Sequence, residues 1–249
     1  MCLIALAHHA VPDIRLAVLA NRDEFHARPT APADFWPDHP HVLAGRDLEA
    51  GGTWMGVTRS GRFAALTNYA EIRADAPKSR GTLVADFLTT GTGASEFLRG
   101  IRGEDYAGFN LVLFDGETLV CASNDGSAPR ALGTGAHAIS NTSIDADWPK
   151  MRDTRALLAR AVETGINRKY EQLFLEMRDT QEAADRDLPT GDAPLELRRR
   201  TSSRFVLGED YGTRSTTLIL IGAARIDFEE RSFGPMGQAG TRQRFTLTL

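Results

Sequence analysis

The sequence predicts an α+β fold in which antiparallel sheets stack face to face and are covered by helices. Three observations lead there. Apolar runs of strand length come in pairs around two-residue turn signals, of which Ser60-Gly61 and Asp115-Gly116 are the clearest. Stretches with helical spacing are grouped between and after those pairs. The chain of 249 residues is 42% hydrophobic, enough for a substantial core, and no repeat or shift of composition marks a second domain, so residues 1–249 read as one unit.

The first strand is expected from Cys2-Leu3-Ile4-Ala5-Leu6-Ala7 and the second from Ile14 to Ala20, with His8 to Asp13 as the turn between them. A hairpin centred near Val11-Pro12 returns the chain so that residues around Asn21 lie beside Cys2. From His26 to Asp47 the prolines Pro29, Pro32, Pro37 and Pro40 break any period, which predicts an ordered surface loop. Gly51 to Thr58 and Arg62 to Tyr69 form the hairpin around Ser60-Gly61, and Asn68 closes its second strand. Leu83, Val84, Phe87 and Leu88 fall at helical spacing within Thr82 to Thr89, and Ser95 to Ile101 reads as a shorter helix.

Asn110 to Phe114 and Leu119 to Ser123 flank Asp115-Gly116, with Cys121 as a small core residue. Ala136 to Ser140 is a further strand, in which His137 is expected to be satisfied by a neighbour. Pro149, at an early helical position, opens a helix through Ala161, and Ile166 to Met177 supplies another. Asp179 to Arg200 is polar and proline-bearing, the expected mobile segment. Arg204 to Leu207, Ser215 to Ile221, Arg225 to Phe233 and Phe245 to Leu249 complete the strands.

Lys and Arg number 29 against 33 Asp and Glu, a formal charge of -4 that offers no general attraction to nucleic acid or an anionic membrane. Two cysteines, Cys2 and Cys121, exclude a disulfide-rich scaffold and fit a reducing compartment. The apolar start is too short for a signal-peptide core and no run is long enough to span a bilayer, so the expected location is the cytoplasm. His39-Pro40-His41 has no third ligand at metal-binding spacing, and Gly91 and Gly93 belong to no phosphate loop, so neither metal nor cofactor is expected.

The chemistry concentrates at Met1-Cys2. A small second residue permits an aminopeptidase to remove Met1, which leaves a thiol and a free α-amine on one residue. An α-amine titrates near pH ~8, so it can serve as the base for its own thiol. Cysteine also packs well in an apolar strand, and position alone leaves both readings standing. Beyond the second strand, Arg22 can hold a negative charge or a carbonyl near the thiolate, and Asp23 can orient the ammonium. Asn68 is either a turn former or, in a site, an oxyanion donor.

The ordered set Met1-Cys2-Leu3-Ile4, Asn21-Arg22-Asp23-Glu24-Phe25 with Arg28-Pro29, Ala44-Gly45-Arg46-Asp47, Gly51 to Gly56, Leu66 to Tyr69, Ser79-Arg80-Gly81, Gly108-Phe109-Asn110, Ser140-Asn141, Trp148-Pro149-Lys150 and Tyr211 to Thr216 resembles the NRDE family, which includes the transport and Golgi organisation proteins. That family in turn resembles N-terminal nucleophile hydrolases of the penicillin V acylase, bile salt hydrolase and acid ceramidase type, four-layer αββα enzymes that cleave linear amides. The resemblance implies Cys2 as nucleophile, Asp23 as the carboxylate near the amine, Asn68 as the oxyanion donor, Asn141 as a second site asparagine and Arg214 as the late arginine. Arg22 is the early arginine, which the hydrolases place farther from the aspartate. The implied reaction is acyl transfer from a small acyl amide or thioester. The implied alternative is a carrier of haem, lipid or acyl-coenzyme A in the same pocket.

Overall fold

The computed structural model describes residues 2–69, 76–189 and 193–249. In chain order the strands and helices are β1 (Cys2–Val11), β2 (Ile14–Phe25), β3 (Thr30–Phe35), β4 (Val42–Asp47), β5 (Met55–Thr58), β6 (Phe63–Asn68), α1 (Gly81–Thr89), α2 (Ala94–Arg99), β7 (Phe109–Phe114), β8 (Leu119–Ser123), β9 (Arg130–Ala131), β10 (Gly135–Ile139), α3 (Pro149–Glu163), α4 (Tyr170–Glu176), α5 (Leu195–Arg200), β11 (Tyr211–Gly222), β12 (Arg225–Phe233) and β13 (Ala239–Thr248). They build a six-stranded sheet, β10-β1-β2-β11-β12-β13, and a seven-stranded one, β3-β4-β5-β6-β7-β8-β9. Every strand pair in both is antiparallel.

The layers follow from the two-residue period of a strand. Ile4, Leu6, Val18 and Ile219 of the first sheet meet Leu43, Val57, Phe63 and Val112 of the second, forming the inner core. Their sequence neighbours Leu3, Ala5, Leu19 and Leu218 face outward against Met151 and Leu158 of α3 and Phe174 of α4. On the other side Val42, Leu66, Leu111 and Leu113 pack against Leu83, Val84, Phe87 and Leu88 of α1. Burial on both faces is why β1 and the middle of β2 read as continuous apolar runs without alternation. The αββα sandwich is therefore the fold, and the hairpin turns between β5 and β6 and between β7 and β8 use Gly61 and Gly116, with φ of +82° and +107°.

The structure departs from expectation in several places: the last strand begins at Ala239 and not at Phe245, the helix expected from Ile166 is α4 from Tyr170, and three further differences have a physical reason. The proline-rich stretch from His26 to Asp47 is not a plain loop: it holds β3 and β4. Pro32 is tolerated because β3 is an edge strand and the pairing slips between Ala31 and Asp34, so the missing N–H breaks no ladder bond. Arg204 to Leu207 is not a strand; it leans on the start of β11 through reciprocal bonds, Val206 N–H to Thr213 Oγ1 at 2.8 Å and Thr213 N–H to the Val206 carbonyl at 2.9 Å. The polar span from Asp179 to Arg200 contains α5, tied back by the Arg199–Asp185 pair at 2.6 Å, while residues 190–192 of that span lie outside the described residues.

At the edge strand β10, His137 finds its neighbour: Nδ1 donates to Asp145 at 2.8 Å. Asp145 also accepts from the Ala138 N–H at 2.9 Å and from Arg155 at 3.4 Å, with Arg130 at 3.8 Å. The bond to Asp145 raises the His137 pKa above its usual 6.5. Burial of Asp145 works against ionisation, yet the bonds from His137 and Ala138 prevail and hold its carboxyl below 3.8. The stability from His137 is full below its unfolded pKa and is lost as pH rises through the elevated folded value. That from Asp145 is full above its unfolded pKa and is lost as pH falls through the depressed one. The difference in urea midpoint between wild type and His137→Gln is expected to peak at about pH 5 to 6 and shrink towards pH 9; a difference that grows with pH would contradict the pairing.

Candidate active site

The β1–β2 hairpin sets Cys2 opposite Arg22 and Leu3 opposite Asn21. On its other edge β2 pairs Asp23 with Thr213 and Arg22 with Ser215, so Arg214 is the extra residue of a bulge. Residues directly opposed in an antiparallel pair share a face. Cys2, Arg22 and Ser215 therefore point between the sheets, whereas Asn21, Asp23 and Thr213 point toward α3.

Cys2, Arg22, Asp23, Trp54, Asn68 and Arg80 line one cavity of roughly 130 Å³, with the ion-paired Arg28 and Asp47 on its wall. Two glycine contacts shape it. A Cβ at Gly45 would lie 2.2 Å from the Trp54 ring, so only glycine lets the ring come this close to the β4 backbone, and the Arg22 guanidinium stacks over the ring at 4.2 Å. A Cβ at Gly52 would lie 2.4 Å from the Gly81 carbonyl carbon, and the Thr53 N–H bonds the Gly81 carbonyl at 3.2 Å. This approach brings the start of α1, with Arg80, up to the cavity.

Arg22 and Trp54 also line a second cavity of roughly 310 Å³, shared with Arg214, Ser215 and Glu230. Arg214 donates through Nη1 to the carbonyls of Phe25 at 3.0 Å and Arg28 at 2.7 Å. The bulge has thus aimed Arg214 into the neighbouring cavity and not into that of Cys2. Glu230 is buried and accepts from the Ala33 N–H at 2.9 Å; burial raises its pKa.

Cys2 is partly buried, and desolvation pushes its thiol above the usual value, with Arg22 among the charges that pull the other way. Asp23 is buried; desolvation raises its carboxyl pKa, while Lys150, the Thr213 hydroxyl and Arg22 favour the carboxylate. Thr213 Oγ1 donates to Asp23 at 2.7 Å. Lys150 is itself buried in the first turn of α3, where Nζ donates to the Thr201 carbonyl at 2.7 Å. Desolvation lowers its pKa, and the charges of Asp23 and Cys2 resist that fall.

Asn68, at the end of β6, lines the Cys2 cavity, and among the described residues nothing bonds its side-chain amide. Asn141 lies behind it: Nδ2 donates to the Asn68 backbone carbonyl at 2.9 Å. The adjacent Ser140 Oγ donates to the Cys2 carbonyl at 2.8 Å, and Thr67 Oγ1 donates to the Ser140 carbonyl. Asn110 Nδ2 reaches the Ser140 and Thr142 carbonyls at 3.1 and 3.0 Å. Of the residues selected from sequence, Cys2, Arg22, Asp23 and Asn68 share a cavity, Asn141 supports it from behind and Arg214 stands next door. Sequence reasoning did not select Trp54, Arg80 or Lys150 for roles, although each lies within a quoted motif. The signal for Lys150 was its place one residue after a helix-opening proline, on the turn that must pack against the sheet.

The sequence profile described as Transport and Golgi organisation 2 matches residues 1–235. The chain belongs to the transport and Golgi organisation 2 family. A Transport and Golgi organization protein 2 homolog from Bos taurus is 35% identical over 254 residues, covering 93% of this chain and 91% of the relative. The Homo sapiens homolog is 33% identical over 238 residues, with 88% and 86% covered. Among solved structures, a mutant conjugated bile acid hydrolase from Clostridium perfringens aligns with a TM-score of 0.49 at 8% identity, over 100% of this chain and 92% of that one.

In this member of the family, Asp23 is buried and is held by donors around it, the Thr213 hydroxyl among them. Thr213→Val removes one of them and is expected to cost about 1–3 kcal/mol. Since the hydroxyl bond favours the ionised form, the loss should widen as pH rises through the Asp23 ionisation. Urea denaturation of wild type and variant across pH measures it, and a loss independent of pH would argue that Asp23 stays neutral.

Proposed function

We propose that the protein is an N-terminal cysteine nucleophile hydrolase that opens a linear amide or thioester of a small acyl substrate through an acyl-enzyme. The observation that supports it is the convergence on one cavity of Cys2, a buried Asp23 and an Asn68 amide that has no side-chain bond among the described residues. In this reading, removal of Met1 frees the Cys2 α-amine, which takes the thiol proton as Sγ attacks the carbonyl carbon. Asn68 Nδ2 donates to the oxygen as it becomes an oxyanion. The ammonium then protonates the leaving nitrogen or sulfur as its bond to carbon breaks, which leaves a thioester on Cys2. Water, deprotonated by the same amine, releases the acid.

The remaining residues have supporting roles. Asp23 holds the ammonium in line, and Lys150 keeps Asp23 ionised inside the fold. Asn141 fixes Asn68 through its backbone carbonyl, and Arg22, braced on Trp54, divides the nucleophile's space from the cavity where Arg214 meets the distal part of the substrate. Among the described residues no helix is long and apolar enough to cross a membrane. A cytoplasmic location is part of this reading.

The test combines intact mass with an acyl-transferring cysteine probe. Met1 is expected to be absent from the mass, and the probe should label wild type but not Cys2→Ala. Asn68→Ala is expected to slow acyl transfer by about 10²–10³. Full retention of Met1, with haem or acyl-coenzyme A binding that ignores Cys2→Ala, would select a carrier instead.

A further inference from the structure

The three arginines on the Cys2 cavity are in unequal circumstances. Arg28 is held by Asp47 at 2.8 Å and Glu49 at 3.3 Å. Arg22 lies over Trp54 and 3.9 Å from Glu24. Arg80 donates through Nη1 to the Gly108 carbonyl at 3.0 Å, and among the described residues no carboxylate lies within ion-pair distance of it. It is half-buried, and desolvation lowers its pKa, with the charges of Cys2 and Glu24 resisting and Arg28 adding to the fall. A guanidinium partly removed from water without a counter-charge is a standing cost to the fold. The Gly52–Gly81 contact nevertheless fixes the chain so that this cation borders the nucleophile. Its remaining N–H groups form the planar edge that suits a carboxylate.

We infer that Arg80 is a specificity residue, and that the substrate carries a carboxylate or similarly compact anion a few atoms from the bond that is opened, seated on the edge of the Arg80 guanidinium that no described residue pairs. The inference rests on the hydrolase reading for the position of the scissile bond. A cavity of roughly 130 Å³ admits only a short stretch between carbonyl and anion. Drug-sized ligands fill about 300–1,000 Å³. The anion can belong to the acyl group or to the leaving group, and the two sources call for separate ligands.

Calorimetric titration of Cys2→Ala protein, which binds without turnover, tests the assignment with two matched pairs. N-butanoyl-β-alanine and its primary amide place the charge on the leaving side; succinic acid monobutylamide and its primary amide place it on the acyl side. At least one acid is expected to bind about tenfold or more tightly than its neutral partner. Adding Arg80→Gln should abolish that preference and leave the neutral ligand's affinity unchanged, and Arg80→Lys should restore part of it. Thermal unfolding verifies that both variants fold, and if the Gln variant does not, the comparison of Lys variant with parent decides, a preference identical in the two overturning the assignment. Equal binding of acid and amide in both pairs, no binding of any ligand, or a preference that survives Arg80→Gln overturns it as well. Turnover by wild type separates the two readings. Hydrolysis of neutral amides without preference for the acids would keep the hydrolase and remove Arg80, whereas acid-selective binding without turnover would do the reverse.

Discussion

The register between β1 and β2 is the constraint on which the remaining structure depends. With Cys2 opposite Arg22, the even-numbered Ile4, Leu6, Leu16, Val18 and Ala20 enter the inner core, and the odd-numbered Leu3, Ala5, Ala7, Ala17 and Leu19 face the helices. A slip of one residue would exchange those faces wholesale, placing Arg22 against the apolar side of α3 and Leu3 where the thiol now stands. The hydrophobic core forbids that slip, so the same free energy that holds the sheets together also places sulfur, guanidinium and carboxylate. Asp23 is one residue beyond Arg22 and therefore projects to the helix side, level with the end of β1, where it meets Lys150 and Thr213.

Several buried polar groups around this point are joined in a connected system. Asn21, deep under the helix layer, donates to the carbonyls of Met177 at 2.9 Å and Arg204 at 2.7 Å and accepts from Thr216 at 2.6 Å. It thereby ties the loop before β11 to the sheet. Ser140, Asn141, Asn110 and Thr67 do the same between the sheets. Such networks are costly when incomplete. Asn68 and Arg80 stand out because they line the same cavity with donors that no described residue takes up.

Much of this was legible in the sequence, for reasons that can be stated residue by residue. The β1–β2 hairpin was, because both strands are apolar throughout and a turn-forming Pro12-Asp13 separates them; so were α1, from the spacing of Leu83, Val84, Phe87 and Leu88, and the buried Cys121. β3 was hidden because a proline is informative only once the edge of a sheet is known, and Arg204 to Leu207 misled because an apolar run packs equally well without a ladder. Cys2, Asp23 and Asn68 were selected for their unusual types at strand ends, and the structure sets them around one cavity. Trp54 and Arg80 were not selected, since their positions depend on where Gly45, Gly52 and Gly81 permit two backbones to touch. The placement of Arg214 could not be read either, because a one-residue bulge leaves no mark in composition.

The bond between Asp23 and Thr213 joins positions separated by most of the chain. During synthesis, residue 23 emerges long before residue 213, and β2 remains an open edge until β11 arrives to cover it. A nascent or truncated polypeptide can therefore zip its first hairpin but cannot seat its acidic side chain. Closure of the surroundings of Asp23 is a late event, reached only when the final third of the sequence has been delivered, and shortened products would carry the first hairpin without them.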